Sequence, residues 1–234
     1  AITVSQTLGI LENFDLTKYK PLKASAWNLI AEASRLAFAD RGLYIADPDF
    51  VSMPKGLLSK TYLAERAKLI QANKATKEVK PGQPSADVAT RFQQGRSPEQ
   101  DSTSHFVIVD RDGNIVSMTS SIENGFGSRL MTNGFLLNNQ LTDFSFTAAD
   151  KNGQFIANRV EAGKRPRSSM APTIVFENKQ PYIALGSPGG SRIISYVTNA
   201  LVAVIDWNLS LQQAFDFPHI TNRFGMMSLE ADQF

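Results

Sequence analysis

The residues in this chain best suited to chemistry are hydroxyls, carboxylates and glycines. Ser102-Thr103-Ser104 stands where a polar stretch gives way to an alternating one. A hydroxyl needs a base before it can act as a nucleophile. The two histidines, His105 and His219, have no recognisable triad context, and Gly-x-Ser-x-Gly is absent, so both read as structural. One solution needs no histidine. A cut just before a Ser or Thr frees an α-amino group with a pKa near ~8, which can take the hydroxyl proton itself. The local pattern does not choose among the three hydroxyls, and it also fits small polar residues at the start of a strand.

Leu185-Gly186-Ser187-Pro188-Gly189-Gly190-Ser191 links a strand pattern to a helix pattern. Glycines let backbone N–H groups approach a ligand oxygen, and a helix N-terminus adds partial positive charge. That composition suits an oxyanion hole, a phosphate cradle or a plain tight turn, but it is neither Walker A nor Gly-x-Gly-x-x-Gly. Lys164 to Pro172 joins cations to the hydroxyl pair Ser168-Ser169, which suits a carboxylate or a solvated loop. Gln140 and Asp143 can meet a ligand amine or merely end a strand. Glu123 falls just past the second strand, where a solvated carboxylate is the ordinary account.

Composition excludes several chemistries. There is no cysteine, which removes disulfides, zinc–thiolate sites and thiol nucleophiles, and two histidines cannot supply a three-histidine metal site. A formal net charge of +2 in 234 residues argues for neither nucleic acid nor a membrane surface. No apolar run reaches the roughly 20 residues of a membrane span. The chain starts without Met and stops without an obvious terminal element, so it reads as a piece of a longer protein.

These groups must be held by elements that the periodicity outlines. Leu22, Ala26, Leu29, Ile30, Ala33, Leu36 and Ala37 predict a helix over 22–41, with Gly42 as its stop. A second amphipathic helix is expected over 57–70, with Ser59, Lys60, Arg66 and Lys68 on its wet side. Residues 71–102 are polar and rich in Pro and Gly, a connector of about 30 residues expected to be mobile and either functional or cleaved. Strands follow at 105–110 and 115–121 around the turn Arg111-Asp112-Gly113-Asn114, with a short apolar segment at 134–138 and a second hairpin over 172–185. A helix over 192–207 and a short one over 211–217, capped by Ser210, close the pattern. Helices on either side of antiparallel strands predict an α+β layered domain.

As a set, TSHFVIVDRDGNIVSMTSSIENGFGS from Thr103, GFLLNNQLTDFS, GKRPRSSMAPTIV and LGSPGGSRI resemble the catalytic subunit of the γ-glutamyltranspeptidase family, in order and at compatible spacing. Upstream, LIAEASRLAFADRGLYIADPDFV and GLLSKTYLAERAKLI resemble the end of its large subunit. The resemblance implies an N-terminal-nucleophile hydrolase fold, an αββα sandwich of which this chain is part. Residues 1–71 are then the helical end of the large subunit, 72–102 the mobile connector, and 103–234 a truncated catalytic small subunit. It implies self-cleavage between Ser102 and Thr103, with Thr103 the nucleophile and Ser121, where a threonine is usual, assisting its amine. Gly189 and Gly190 match the oxyanion hole, Gln140 and Asp143 the α-amino site, and Ser168 and Ser169 the α-carboxylate site.

Glu123 stands where the family usually has asparagine, at the α-amino or α-carboxylate end of the substrate. A carboxylate there accepts from an ammonium and repels an α-carboxylate. The expected activity is γ-glutamyl transfer or hydrolysis on glutathione-like amides, without metal or organic cofactor. The alternatives are a related amidase acting on a glutaryl amide or poly-γ-glutamate, or an unprocessed inactive piece. Expected partners are the γ-glutamyl donor, an amine or water acceptor, and the rest of the large subunit, with no nucleic acid. The family's arginine clamp lies outside this chain, so the chain alone is expected to be inactive. Export to the periplasm or medium is an expectation from the resemblance alone.

Overall fold

The computed structural model describes residues 2–85, 92–95, 102–225 and 227–230. Most of the second half of the connector, 86–91 and 96–101, therefore lies outside the described residues. The order of elements is α1 (Ile2–Leu11), α2 (Ala24–Tyr44), α3 (Lys60–Ala67), β1 (Ser102–Val109), β2 (Ile115–Glu123), β3 (Met131–Thr132) and β4 (Phe135–Leu136). Then follow β5 (Thr173–Glu177), β6 (Gln180–Leu185), α4 (Ile193–Ile205), α5 (Leu211–Phe215), β7 (Ile220–Asn222) and β8 (Met227–Leu229). Helices flank antiparallel hairpins, as expected of an α+β domain.

The helical half is organised around α2. Leu29, Ala33 and Leu36 join Ile10 of α1, Leu63 of α3, Val202 of α4 and Ile220 of β7 in one buried cluster. A second cluster sets Ile193, Val197 and Leu201 of α4 against Ile183 and Leu185 of β6, Val4 of α1 and Phe38 of α2. Helices α1, α2 and α4 thus contribute to both clusters, and α4 is apolar on almost every face.

Helix boundaries differ from the sequence reading by one to three residues, and two of the differences have a plain physical reason. The helix α2 runs through Gly42 to Tyr44, because Gly42 is used for close approach: a Cβ there would meet the Gln94 side chain. The helix α3 begins only at Lys60, where Ser59 Oγ accepts from Tyr62 N at 3.3 Å. Arg66 is not on a wet face. It is buried and donates to Leu36 O, Asp40 Oδ1 and Lys80 O. The first helix, α1, has no apolar stripe in the sequence, because its inward positions include Thr3, Gln6 and Thr7.

Asp40 explains that inward polarity. Its carboxylate is fully buried and accepts from Gln6 Nε2 at 2.5 Å, Tyr62 Oη at 2.5 Å, Gly82 N at 2.7 Å and Arg66 at 3.3 Å. Burial pushes its pKa above the usual carboxylate value, and the facing Arg66 opposes that shift. The same knot fastens residues 72–85 of the connector along α2, where Val79 is buried and Thr76 N donates to Glu32. Asp40→Ala leaves the Arg66 charge buried without its partner. The expected loss is about 3–5 kcal/mol of stability, read from the shift in the urea midpoint. A loss below about 1 kcal/mol would show that the knot is not structural.

Candidate active site

The hairpin β1–β2 follows from β-branched and aromatic residues on both strands and from the Asp110–Asn114 turn, where Asp110 Oδ1 accepts from the N–H groups of Asp112 and Asn114. Its register is regular from Thr103↔Ser121 to Val109↔Ile115 and then shifts: Ser102 pairs with Glu123, so Ile122 is extra. A bulge of this kind re-aims side chains and is common beside active sites. Here it falls at the expected cleavage point.

Three hydrogen bonds converge on one hydroxyl at the bulge. Thr103 donates from Oγ1 to Ser121 Oγ at 3.2 Å. Ser121 in turn donates to the Ser102 carbonyl oxygen at 3.1 Å, and Glu123 N–H donates to Ser121 Oγ at 2.9 Å. The candidate nucleophile, the carbonyl that precedes it and the Ser121 hydroxyl thus form one relay. Glu123, for which a solvated carboxylate is the ordinary local account, is the last residue of β2 and is 3% exposed. Its φ of +73° reflects the bulge, and its carboxylate accepts from Asn139 Nδ2 at 2.8 Å.

A small, open cleft lies beside Thr103. Ser121, Glu123, Gln140, Asp143, Ser168, Ser169 and Gly190 line it together with Thr103, so residues spread from 103 to 190 in the sequence meet at one place. Met170 and Ile193 complete the wall. Gln140 and Asp143 sit on one 3₁₀ turn and are hydrogen-bonded through Gln140 Nε2 and Asp143 Oδ2. The main chain of that turn is tied to the loop 158–167, because Asn158 donates to Asp143 O at 2.8 Å and accepts from Arg167 N at 3.0 Å. Carboxylates and hydroxyls thus share one small space, an arrangement suited to a zwitterionic ligand.

The loop after β6 enters α4 through a 3₁₀ turn, Gly190–Arg192. Gly189 has φ +123° and Gly190 φ +54°, and a Cβ on Gly189 would lie 2.8 Å from the Tyr196 ring. Gly189 does not itself line the cleft but precedes Gly190, so the backbone turns toward Thr103 at a helix entry, where N–H groups point outward. His105 lies beneath this loop. Its Nδ1 is 2.9 Å from Thr119 Oγ1, its ring packs on Gly186 Cα, and burial holds its pKa below 6.5. It is a spacer between β1 and the glycine loop, in keeping with a structural histidine. A larger hollow lined by Trp27, Tyr196, Phe217 and His219 lies on the other side of this loop and contains none of the candidate residues.

Two contributors escaped the sequence reading. Asn139 links Glu123 to the 3₁₀ turn, also accepting from Asn124 N at 2.9 Å. Arg41, on the last turn of α2, is buried and donates to Ser169 Oγ at 2.6 Å. Its one legible signal was a cation inside the apolar run Leu36 to Leu43.

A sequence profile described as Gamma-glutamyltranspeptidase matches residues 1–233. The glutathione hydrolase proenzyme of Bacillus subtilis (strain 168) is 39% identical over 227 residues, covering 94% of this chain and 38% of the relative. The acylase ACY 1 proenzyme of Pseudomonas sp. (strain V22) is 34% identical over 235 residues, covering 98% of this chain and 38% of that protein. Among solved structures, cephalosporin acylase from Bacillus halodurans superposes with a TM-score of 0.76 at 28% identity, over 94% of this chain and 37% of the other. The chain thus spans about two fifths of the length of these relatives.

Proposed function

The chain belongs to the γ-glutamyltranspeptidase family and shares its N-terminal-nucleophile hydrolase fold, and from that premise we propose that its parent protein cleaves γ-glutamyl amides with Thr103 as a self-freed nucleophile. The observation that carries this reading is the relay Thr103–Ser121–Ser102 O at the mouth of the cleft.

In self-processing, the Thr103 hydroxyl adds to the Ser102 carbonyl carbon. The Ser121 O–H already donates to that carbonyl oxygen and so stabilises the developing oxyanion. The C–N bond breaks, the Thr103 nitrogen takes the proton, and the Ser102 acyl group is carried as an ester on Thr103 Oγ1. Water hydrolyses the ester, leaving a Ser102 carboxylate and a Thr103 with a free α-amine.

In turnover, that amine removes the Thr103 hydroxyl proton as Oγ1 attacks the donor's γ-carbonyl. The N–H groups of Gly189 and Gly190 meet the tetrahedral oxyanion, an effect typically worth about 3–4 kcal/mol per donor. The proton passes to the leaving amine. Water or an acceptor amine then releases the γ-glutamyl group from Thr103. Glu123, Gln140 and Asp143 are suited to the donor's ammonium, and Ser168 and Ser169 to its α-carboxylate.

A second reading is favoured by one observation, the buried Glu123 carboxylate in the cleft, and by the likeness to acylases. It keeps the chemistry and changes the acyl donor to a glutaryl amide or poly-γ-glutamate. Glu123→Asn separates the two. On the γ-glutamyl reading it replaces a charged ammonium acceptor by the neutral amide usual in the family and raises the donor KM by no more than about fivefold, with a smaller effect on kcat. Competing donors assayed side by side supply the check. Turnover confined to donors without an α-amino group would favour the second reading.

A further inference from the structure

We infer that Arg41 is a positioning residue that acts across the cleavage point, holding Ser169 in the donor-binding cleft from the large-subunit side. The inference rests on the functional reading above and adds to it a residue that lines no part of the cleft.

Arg41 belongs to α2, on the opposite side of Ser102/Thr103 in sequence from the serine pair it holds. It is 4% exposed, and its guanidinium reaches Ser169 Oγ at 2.6 Å and the Ser168 carbonyl at 3.5 Å. The contact is reciprocal, because Arg167 donates to the Arg41 carbonyl at 3.1 Å. A few residues on, Asp47 accepts from Arg165 N, Nε and NH2 at 2.8, 3.0 and 2.9 Å. The end of α2 and the turn after it therefore grip both ends of the segment Arg165–Ser169. That segment has no place in a described strand or helix, so these contacts set its position.

The chemistry of the contact is directional. A guanidinium donates and never accepts, so at this bond the Ser169 oxygen is the acceptor. The Ser169 hydrogen takes no part in this bond, and donation is the role an α-carboxylate requires. Arg41 also places a fixed positive charge behind the serine pair, in a cleft whose ionisable lining, Glu123 and Asp143, is anionic. Lysine keeps the charge without the planar fork, so the two cations are not equivalent at this position.

The test uses the longest reading frame that contains this chain. Arg41→Met, Arg41→Lys, Ser169→Ala and the double variant Arg41→Met/Ser169→Ala are assayed on a γ-glutamyl anilide. A matched 4-aminobutanoyl anilide, which lacks the α-carboxylate, serves as the second donor. Arg41→Met is expected to raise KM for the first donor about tenfold with kcat changed less than about threefold, and to leave KM for the second within about twofold. Arg41→Lys is expected to fall between wild type and Arg41→Met. The double variant should be no worse than the poorer single one, since both remove the same interaction.

Equal losses on the two donors, or fully additive effects, overturn the inference. If Arg41→Met fails to accumulate in two pieces, the donor comparison is made with Arg41→Lys, and equal losses there overturn it in the same way. A wild-type protein that cleaves neither donor overturns the functional reading and this inference together. Wild-type turnover of both donors with an undiscriminating Arg41 overturns the inference alone.

Discussion

A Thr103→Ala variant of the longest reading frame containing this chain is expected to remain a single uncut polypeptide with no measurable γ-glutamyl amidase activity. The variant removes the only group that serves both reactions. Neither neighbouring hydroxyl can replace it. Ser104 follows on the opposite face of β1, is exposed, and pairs with Ser120 rather than with the relay. Ser102 ends the departing segment, so cleavage after it gives it no α-amine. Removing the nucleophile of such a unit costs on the order of 10³–10⁶ in rate, as in other hydrolases whose catalytic groups act together. Thr103→Ser keeps hydroxyl and amine and is expected to retain cleavage and part of the activity. Survival of both self-cleavage and amidase activity in Thr103→Ala would exclude the mechanism. The two measurements are band pattern on a denaturing gel and release of the amine from a chromogenic donor.

Gly189→Ala is expected to be the next most damaging change, acting through geometry. At φ +123° an L-residue is strained whatever space surrounds it. Space is also lacking, because the new Cβ would lie 2.8 Å from the Tyr196 ring, which stacks on His219 with centroids 4.4 Å apart. The loop has to shift, and the N–H groups of Gly189 and Gly190 shift with it. These donors act on the oxyanion, which exists only in the transition state, so the loss belongs in kcat. A fall of about 10²–10³ in kcat with KM changed much less is expected. Gly113→Ala is the control, since φ is +83° there but nothing lies within 4 Å of the added methyl. It should cost stability of about 1–3 kcal/mol while kcat stays near wild type. Equal kcat for Gly189→Ala and wild type would remove the glycine loop from the reaction.

Much of the fold is legible wherever a local rule has no competitor. The alternation from His105 to Val109 and the Asp110–Asn114 turn predict the first hairpin, and Ser210 caps α5 with a full capping box to Gln213. Where a tertiary partner decides, local rules mislead. Arg66 is assigned to water by its charge, yet Asp40 and two carbonyls hold it in the core. Helix α1 hides because Gln6 and Thr7 point inward, Gln6 toward Asp40 from 34 residues away in sequence. Gly42 reads as a helix stop until the Gln94 side chain explains it.

The site divides in the same way. Each of its pieces is ambiguous by itself, and periodicity cannot show that Thr103, Glu123, Asp143, Ser169 and Gly190 meet in one cleft. The order and spacing of four motifs carried that reading through resemblance. What resemblance did not carry is the support: the Ile122 bulge, the Asn139 bridge and the Arg41 contact depend on which backbone faces which.

The most direct measurement is the mass of the N-terminal peptide of the smaller piece, obtained from the purified full-length protein. The account predicts two polypeptides, the smaller beginning Thr103-Ser104-His105-Phe106 with an unblocked amine. A homogeneous uncut chain that cleaves γ-glutamyl amides, or a smaller piece beginning at any other residue, would contradict it.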